Sequence, residues 1–259
     1  LFRSFDQLDT EYNFISNWLF DNEVYGMPST ATAQGIVYNK KVFEAAGVTA
    51  IPKTPEEFIT VLQAVKDNTD AIPLYTNYAA EWTMGAWDAY IGGSANGTTE
   101  YSNLILPYQA NPFTDRGDGS GPYPLYKVLY DVANKGLIED DYTTTDWEGC
   151  KAMINNGEIA TMVLGSWAVP QLQEAGDNAA DIGYMSFPIT IDGKQFASAG
   201  PDYCYGINAD ASDDNKLASK LFIKFMVDQS TFSFDQGGLP SLKSDKNLAV
   251  TYGDFKLPL

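Results

Sequence analysis

The spacing of apolar residues switches along this chain between the short runs that strands use and the three-to-four spacing of helices. Gly35 to Tyr38 is a short apolar, β-branched run that predicts a buried strand over 35–40, and a second strand is expected over 23–27. Between them, Pro28 to Gln34 are small and mostly hydroxylic, with no charge and no helical period. That run is too polar for a core strand and too uncharged for an ordinary exposed loop. KTPEEFITVLQAVKDN reads as a helix, with Thr54 as N-cap, Pro55 at its first position and Glu57 completing a capping box. AIPLYT (71–76) predicts a strand, and EWTMGAWDAYIGG (81–93) a helix that stops at its glycines. Residues 94–121 are rich in Gly, Asn, Ser and Asp and predict a long excursion.

Further on, Leu125, Leu129 and Val132 recur at helical spacing before Gly136, and Thr145 with Glu148 predicts a second capping box opening DWEGCKAMINNG. EIATMVLG (158–165) reads as a strand, with Ser166 as N-cap of a helix in SWAVPQLQEAG. DIGYMSFPI and CYGINA predict strands, and Ser212 or Asp213 caps the amphipathic helix NKLASKLFIKFMVDQ. Helix and strand signals alternating in this way define an α/β fold.

Charge and missing residue types narrow the chemistry. There are 16 Lys plus Arg against 34 Asp plus Glu, net −18, without the clustered cations that nucleic-acid binding needs. A negative field also disfavours anionic ligands and anionic lipid surfaces, and leaves neutral or cationic solutes, although acidity also serves solubility alone. The chain has no histidine, which removes Ser–His and Cys–His nucleophile systems and HExxH zinc sites together. Cys150 and Cys204 are too few for a disulfide framework; two buried free thiols are expected, with one disulfide as the alternative. DRGDGSG (115–121) invites a calcium reading, but Tyr126 stands where an EF-hand loop from Asp115 needs its bidentate Glu, so a surface turn is expected. No metal, nucleotide or other cofactor motif is present. No stretch approaches the roughly 18 consecutive apolar residues of a membrane span, and LFRSFDQLDT has neither the basic nor the apolar region of a signal peptide.

The aromatic residues are more informative. Trp82 falls just after the strand 71–76, and Trp167 just after the strand 158–165. Both stand at strand-to-helix turns, where open α/β sheets collect ligands outside the carboxyl ends of their strands. A core anchor would explain each singly; the shared placement favours a site. Flat indole faces suit the C–H faces of sugar rings, and amides and acids reach the hydroxyls.

The series VYGMPSTATAQGIVYNKKVFEAAGV, IPKTPEEF, GEIATMVLGSWAV, GYMSFPI and YGINADASDDNKLASKLFIKFM resembles, in order and spacing, the family 1 extracellular solute-binding proteins that capture sugars for ABC importers. That resemblance implies a two-lobed, periplasmic-binding-protein-like α/β fold (type II), with lobe one in 1–32 and 201–259 and lobe two in 33–200. It implies that residues 28–34 and 198–206 are crossings between lobes beside a ligand cleft. Ser29, Thr30, Thr32 and Gln34 would then hydrogen-bond a sugar, Asp202 and Tyr203 would face it, Trp82 and Trp167 would stack on it, and Glu81 would accept from a hydroxyl. The family's first strand–helix units would precede Leu1 and its closing helices follow Leu259, so an internal portion with lobe one incomplete is expected. The same resemblance implies a monomeric, non-enzymatic, extracytoplasmic receptor, lipid-anchored or periplasmic, for a neutral mono- or oligosaccharide, with an ABC permease as partner, no cofactor and no nucleic acid. The alternatives are a receptor of this fold for a polyamine or other cation, a carbohydrate-active enzyme using paired carboxylates, and a surface adhesin or sensor.

Overall fold

The computed structural model describes residues 5–87, 93–98 and 100–248. In chain order the helices are α1 (Phe5–Glu11), α2 (Lys40–Ala45), α3 (Pro55–Asn68), α4 (Pro122–Asn134), α5 (Trp147–Asn155), α6 (Ala168–Glu174), α7 (Asp213–Asp228) and α8 (Phe232–Asp235). The strands are β1 (Leu19–Phe20), β2 (Glu23–Val24), β3 (Met27–Asn39), β4 (Ile72–Leu74), β5 (Ile159–Gly165), β6 (Ile182–Met185), β7 (Ala199–Tyr205) and β8 (Leu239–Pro240). The described residues divide into two compact units, one of 5–33 and 199–248 and one of 34–87, 93–98 and 100–198.

The larger unit is a sheet ordered β4-β5-β3-β6, with β4 and β5 parallel and β3 antiparallel to both β5 and β6. All seven residues of β5 are buried, the mark of a strand covered on both faces. Phe58, Leu62 and Val65 recur on one face of α3, Leu125, Val128 and Val132 on one face of α4, and both faces join a core that includes Ile36, Leu74 and Phe187. Gly136, at φ 62°, ends α4 in a left-handed conformation that L side chains rarely adopt. Thr54 caps α3 by accepting from the Glu57 amide at 3.2 Å, but the Glu57 carboxylate reaches the Lys53 amide rather than that of Thr54. The second expected box is displaced by one residue. Asp146 caps α5, accepting from the Gly149 amide at 2.6 Å, which leaves Thr145 for another partner. The α6 helix begins one residue past the expected Ser166 cap, with Trp167 at the capping position. The helix expected over 81–93 is a 3-10 helix at Trp82–Trp87; residues 88–92, also covered by that expectation, lie outside the described residues.

In the smaller unit the first half of β3 pairs antiparallel with β7, from Met27↔Tyr205 to Ala33↔Ala199, and with β8 at Thr30↔Pro240. The run 28–34 is therefore strand rather than a break between two strands, and the strand expected over 204–209 lies earlier, at 199–205. Ser212 caps α7 as expected, accepting from the Asn215 amide at 3.3 Å. No residue of α7 is buried, and Leu217, Leu221, Phe222 and Phe225 are exposed. Both cysteines are free; Cys150 is buried as expected, but Cys204 is exposed, on a strand open on that side.

Candidate functional site

The sheet of the larger unit brings several strand ends to one edge. Because β4 runs parallel to β5, and β5 and β6 both oppose β3, the carboxyl ends of β4, β5 and β6 point the same way. Leu74 also bridges Ile138 in parallel, which brings the segment after residue 138 to the same edge. Gln34 opens the β3 half of this unit there, directly opposite Gly165. This edge is where parallel topology gathers ligand-binding loops.

Three tryptophans meet at it. Trp82 and Trp147 lie edge to face, with ring centroids 5.2 Å apart, and Trp167 stands 5.6 Å from each of them. Trp82 is 41% exposed and the other two are half-buried, so the cluster keeps indole surface for a partner. Such spacing and tilt suit the ring quadrupoles.

Trp82 and Trp147 are each held by their own local chemistry. After β4, the buried carboxylate of Glu139 accepts from the Thr76 amide at 2.8 Å, the Thr76 hydroxyl at 2.5 Å and the Asn77 amide at 3.1 Å. These bonds pin a turn in which Asn77 is left-handed at φ 53°, and the Thr83 hydroxyl donates back to its carbonyl. Glu81, at φ 62°, is a second strained residue directly before Trp82. The displaced Thr145 accepts from the Ala79 amide at 2.9 Å, and Tyr78 meets Tyr142 edge to face at 5.4 Å. The turn carrying Trp82 is thus tied to the segment that delivers Trp147. On the far side, Lys151 stands 5.0 Å over the Trp147 ring and pairs with Glu148 at 2.9 Å, a cation–π contact that fixes the ring.

The nine residues expected at the site separate by unit. Gln34, Glu81, Trp82 and Trp167 belong to the larger one, and there Trp82 meets Trp167 while Gln34 approaches Trp167 over Gly165. Glu81 is exposed. Ser29, Thr30, Thr32, Asp202 and Tyr203 belong to the smaller unit. There Ser29 donates to the Tyr203 carbonyl at 3.1 Å, and the buried Thr30 hydroxyl lies 2.8 Å from that of Ser233 and 3.3 Å from the Leu239 carbonyl. Both hydroxyls bond within the smaller unit, as burial on a central strand requires. Thr32 is also buried. Asp202 and Tyr203 are exposed on β7, where partial desolvation holds the Asp202 carboxyl above its ordinary range. Trp147 and Gly165 escaped the sequence reading. Trp147 follows α4 rather than a strand, so the strand-to-helix rule that selected Trp82 and Trp167 passes over it. A shallow groove lined by Tyr38, Lys40, Phe43 and Glu44 lies toward the other end of β3. Its Lys40 is bonded to the Ala180 carbonyl and its Glu44 to Lys41.

A family model, described as bacterial extracellular solute-binding protein, matches residues 3–230, and the chain belongs to that family. It is 25% identical over 249 residues to the multiple sugar-binding protein of Streptococcus mutans, covering 91% of this chain and 56% of that one. Among solved structures it is similar to BlMnBP2 of Bifidobacterium animalis subsp. lactis, a manno-oligosaccharide-specific solute-binding protein in complex with mannotriose. There the identity is 46%, the TM-score 0.89 and the coverage 95% of this chain and 58% of that one. BlMnBP1 of the same organism, in complex with mannobiose, is 48% identical at a TM-score of 0.89, covering 93% and 57%. The chain spans a little over half the length of these relatives. No helix among the described residues is long and apolar enough to cross a membrane.

Proposed function

We propose that this chain is a carbohydrate-capturing component of an ABC importer, acting outside the cytoplasm on a short neutral manno-oligosaccharide without turning it over. The observation that carries the reading is the face of Trp82, Trp147 and Trp167 at the carboxyl edge of the sheet. Indole faces bury the apolar C–H faces of pyranose rings, and more than one indole suits more than one ring. The two relatives near half identity, solved with mannotriose and mannobiose, support this class of sugar. The absence of histidine from the sequence removes the commonest general acid and base, and the buried carboxylate nearest the Trp82 turn is occupied by three donors. Both fit capture rather than cleavage. An ABC permease is the partner that family membership supports.

Calorimetric titration and thermal unfolding against mannobiose, mannotriose, other neutral oligosaccharides and spermidine test this. A sugar at one hundred times its Kd adds about 2.7 kcal/mol, a rise of roughly 5–10 °C for a chain of this size. A shift with mannosides, with no sugar released over hours, is expected. A response to spermidine alone would replace the reading with a cation receptor, and turnover would replace it with an enzyme.

A further inference from the structure

Gly165 closes β5, and its φ is not in the left-handed region, so the backbone there would accept any L residue. Space is what forbids a side chain. An added Cβ would fall 2.4 Å from Trp167 Nε1, 2.5 Å from Trp167 Cδ1 and 2.9 Å from Gln34 Oε1, closer than real Cβ atoms approach. The missing side chain therefore lets an indole N–H and an amide carbonyl converge on one point. Gln34 is the cross-strand partner of Gly165, so its side chain rises from the same face of the sheet. Its backbone is fixed by an amide bond to the Ser198 carbonyl at 2.8 Å, and the Ser198 amide is held in turn by Ser94 Oγ at 3.0 Å.

Neither Trp167 Nε1 nor Gln34 Oε1 has a hydrogen-bond partner among the described residues, and neither is among the side-chain atoms sealed from solvent without one. We infer that Trp167 Nε1–H and Gln34 Oε1 form a paired reader for one ligand hydroxyl, which accepts from the indole and donates to the amide, and that Gly165 is the specificity-determining residue that makes the pair possible. This pair rests on the carbohydrate reading above and sharpens it. A hydroxyl is the simple group that accepts and donates at once. A carboxylate or phosphate oxygen would set acceptor against Gln34 Oε1, and an ammonium would set donor against the indole N–H. The pair is neutral and selects a neutral polyol against both kinds of ion, because each mismatch leaves a desolvated polar atom unpaired.

The test is titration of the protein with mannotriose and its monodeoxy analogues, using wild type, Gln34→Met and Gly165→Ala. Gln34→Met keeps the side-chain length and removes the acceptor. It is expected to weaken mannotriose about tenfold, the worth of one neutral hydrogen bond left unmade. That loss should vanish for the one analogue lacking the hydroxyl read by the pair. Gly165→Ala should weaken mannotriose at least as much. In NMR, mannotriose should move the indole N–H signal of Trp167, assigned by its disappearance in Trp167→Phe. The inference falls if wild type binds mannotriose while Gln34→Met binds it equally, or loses the same factor for every analogue, or if the Trp167 signal stays still. Wild type that binds no neutral saccharide removes the carbohydrate reading itself, and the pair with it.

Discussion

The hydroxyl and the amide of Thr76 both donate to the carboxylate of Glu139, one to each oxygen, at 2.5 and 2.8 Å. With the Asn77 amide these are three donors converging on a buried anion in the turn before Trp82. Glu139→Ala strands all three and is expected to cost about 2–4 kcal/mol of stability, read by urea unfolding. Glu139→Gln should cost less than Glu139→Ala yet still weaken saccharide binding, because its amide NH2 must face one of the donors. Wild-type affinity in Glu139→Gln would show that the turn does not set Trp82.

Trp82→Ala and Trp167→Ala each remove an indole face, and each is expected to lower mannotriose affinity roughly 30-fold, about 2 kcal/mol, as a central aromatic contact does. Thermal midpoints should move far less than for Glu139→Ala, since both rings keep solvent-facing surface. Calorimetry of the two variants reads the result, and unchanged affinity in both would remove the stacking face from the mechanism.

The parts of this fold that were legible in the sequence are those made by local chemistry. Thr54 and Ser212 cap their helices because a hydroxyl there has only the next turn's amides to meet. Thr145 looked equivalent, yet Asp146 beside it is the stronger acceptor, and Thr145 turned to Ala79, whose proximity is set by a contact 66 residues away. Trp147 was hidden for the same reason, since it reaches Trp82 through the pairing of Ile138 beside Leu74. The run Pro28 to Gln34 could not be read as strand because the groups that take its hydroxyls, the Tyr203 carbonyl and Ser233, come far later in the chain. Gly165 gave no signal, because the residues that fill its empty space are known only once β3 and β5 are paired.

Thr30→Val keeps the shape and removes a hydroxyl that the structure spends on Ser233 and Leu239. It is expected to cost about 1 kcal/mol of stability and to leave saccharide affinity within about twofold, the range of a change away from a binding face. Paired unfolding and titration measurements check this; a large loss of affinity at full stability would mean that Thr30 contacts ligand.

The two thiols should behave differently. Cys204 is exposed, whereas Cys150 is buried with its thiol donating to the Trp147 carbonyl, and burial pushes it up from an ordinary 9.0 to about 12. At pH 8 a disulfide exchange reagent should label Cys204 quickly and Cys150 only after unfolding in urea. A raised folded-state value favours the protonated form, so its contribution to stability is complete below about pH 9 and is lost as pH rises toward 12. Cys150→Ala should therefore show a shallower fall in stability over that window than wild type does. Rapid labelling of both thiols in the native state would contradict the burial.

The tryptophan cluster also bears on how the molecule can be watched. Of the five tryptophans in the sequence, three stand within 5.6 Å of one another by ring centroid, close enough to share excitation. A cation at 5.0 Å over Trp147 biases the emission of the group. Trp87, packed against Phe187 in the core, supplies a steady background. A solute settling on the cluster would change its emission and its circular dichroism together, so the protein carries a built-in optical reporter for whatever it captures, with no dye attached.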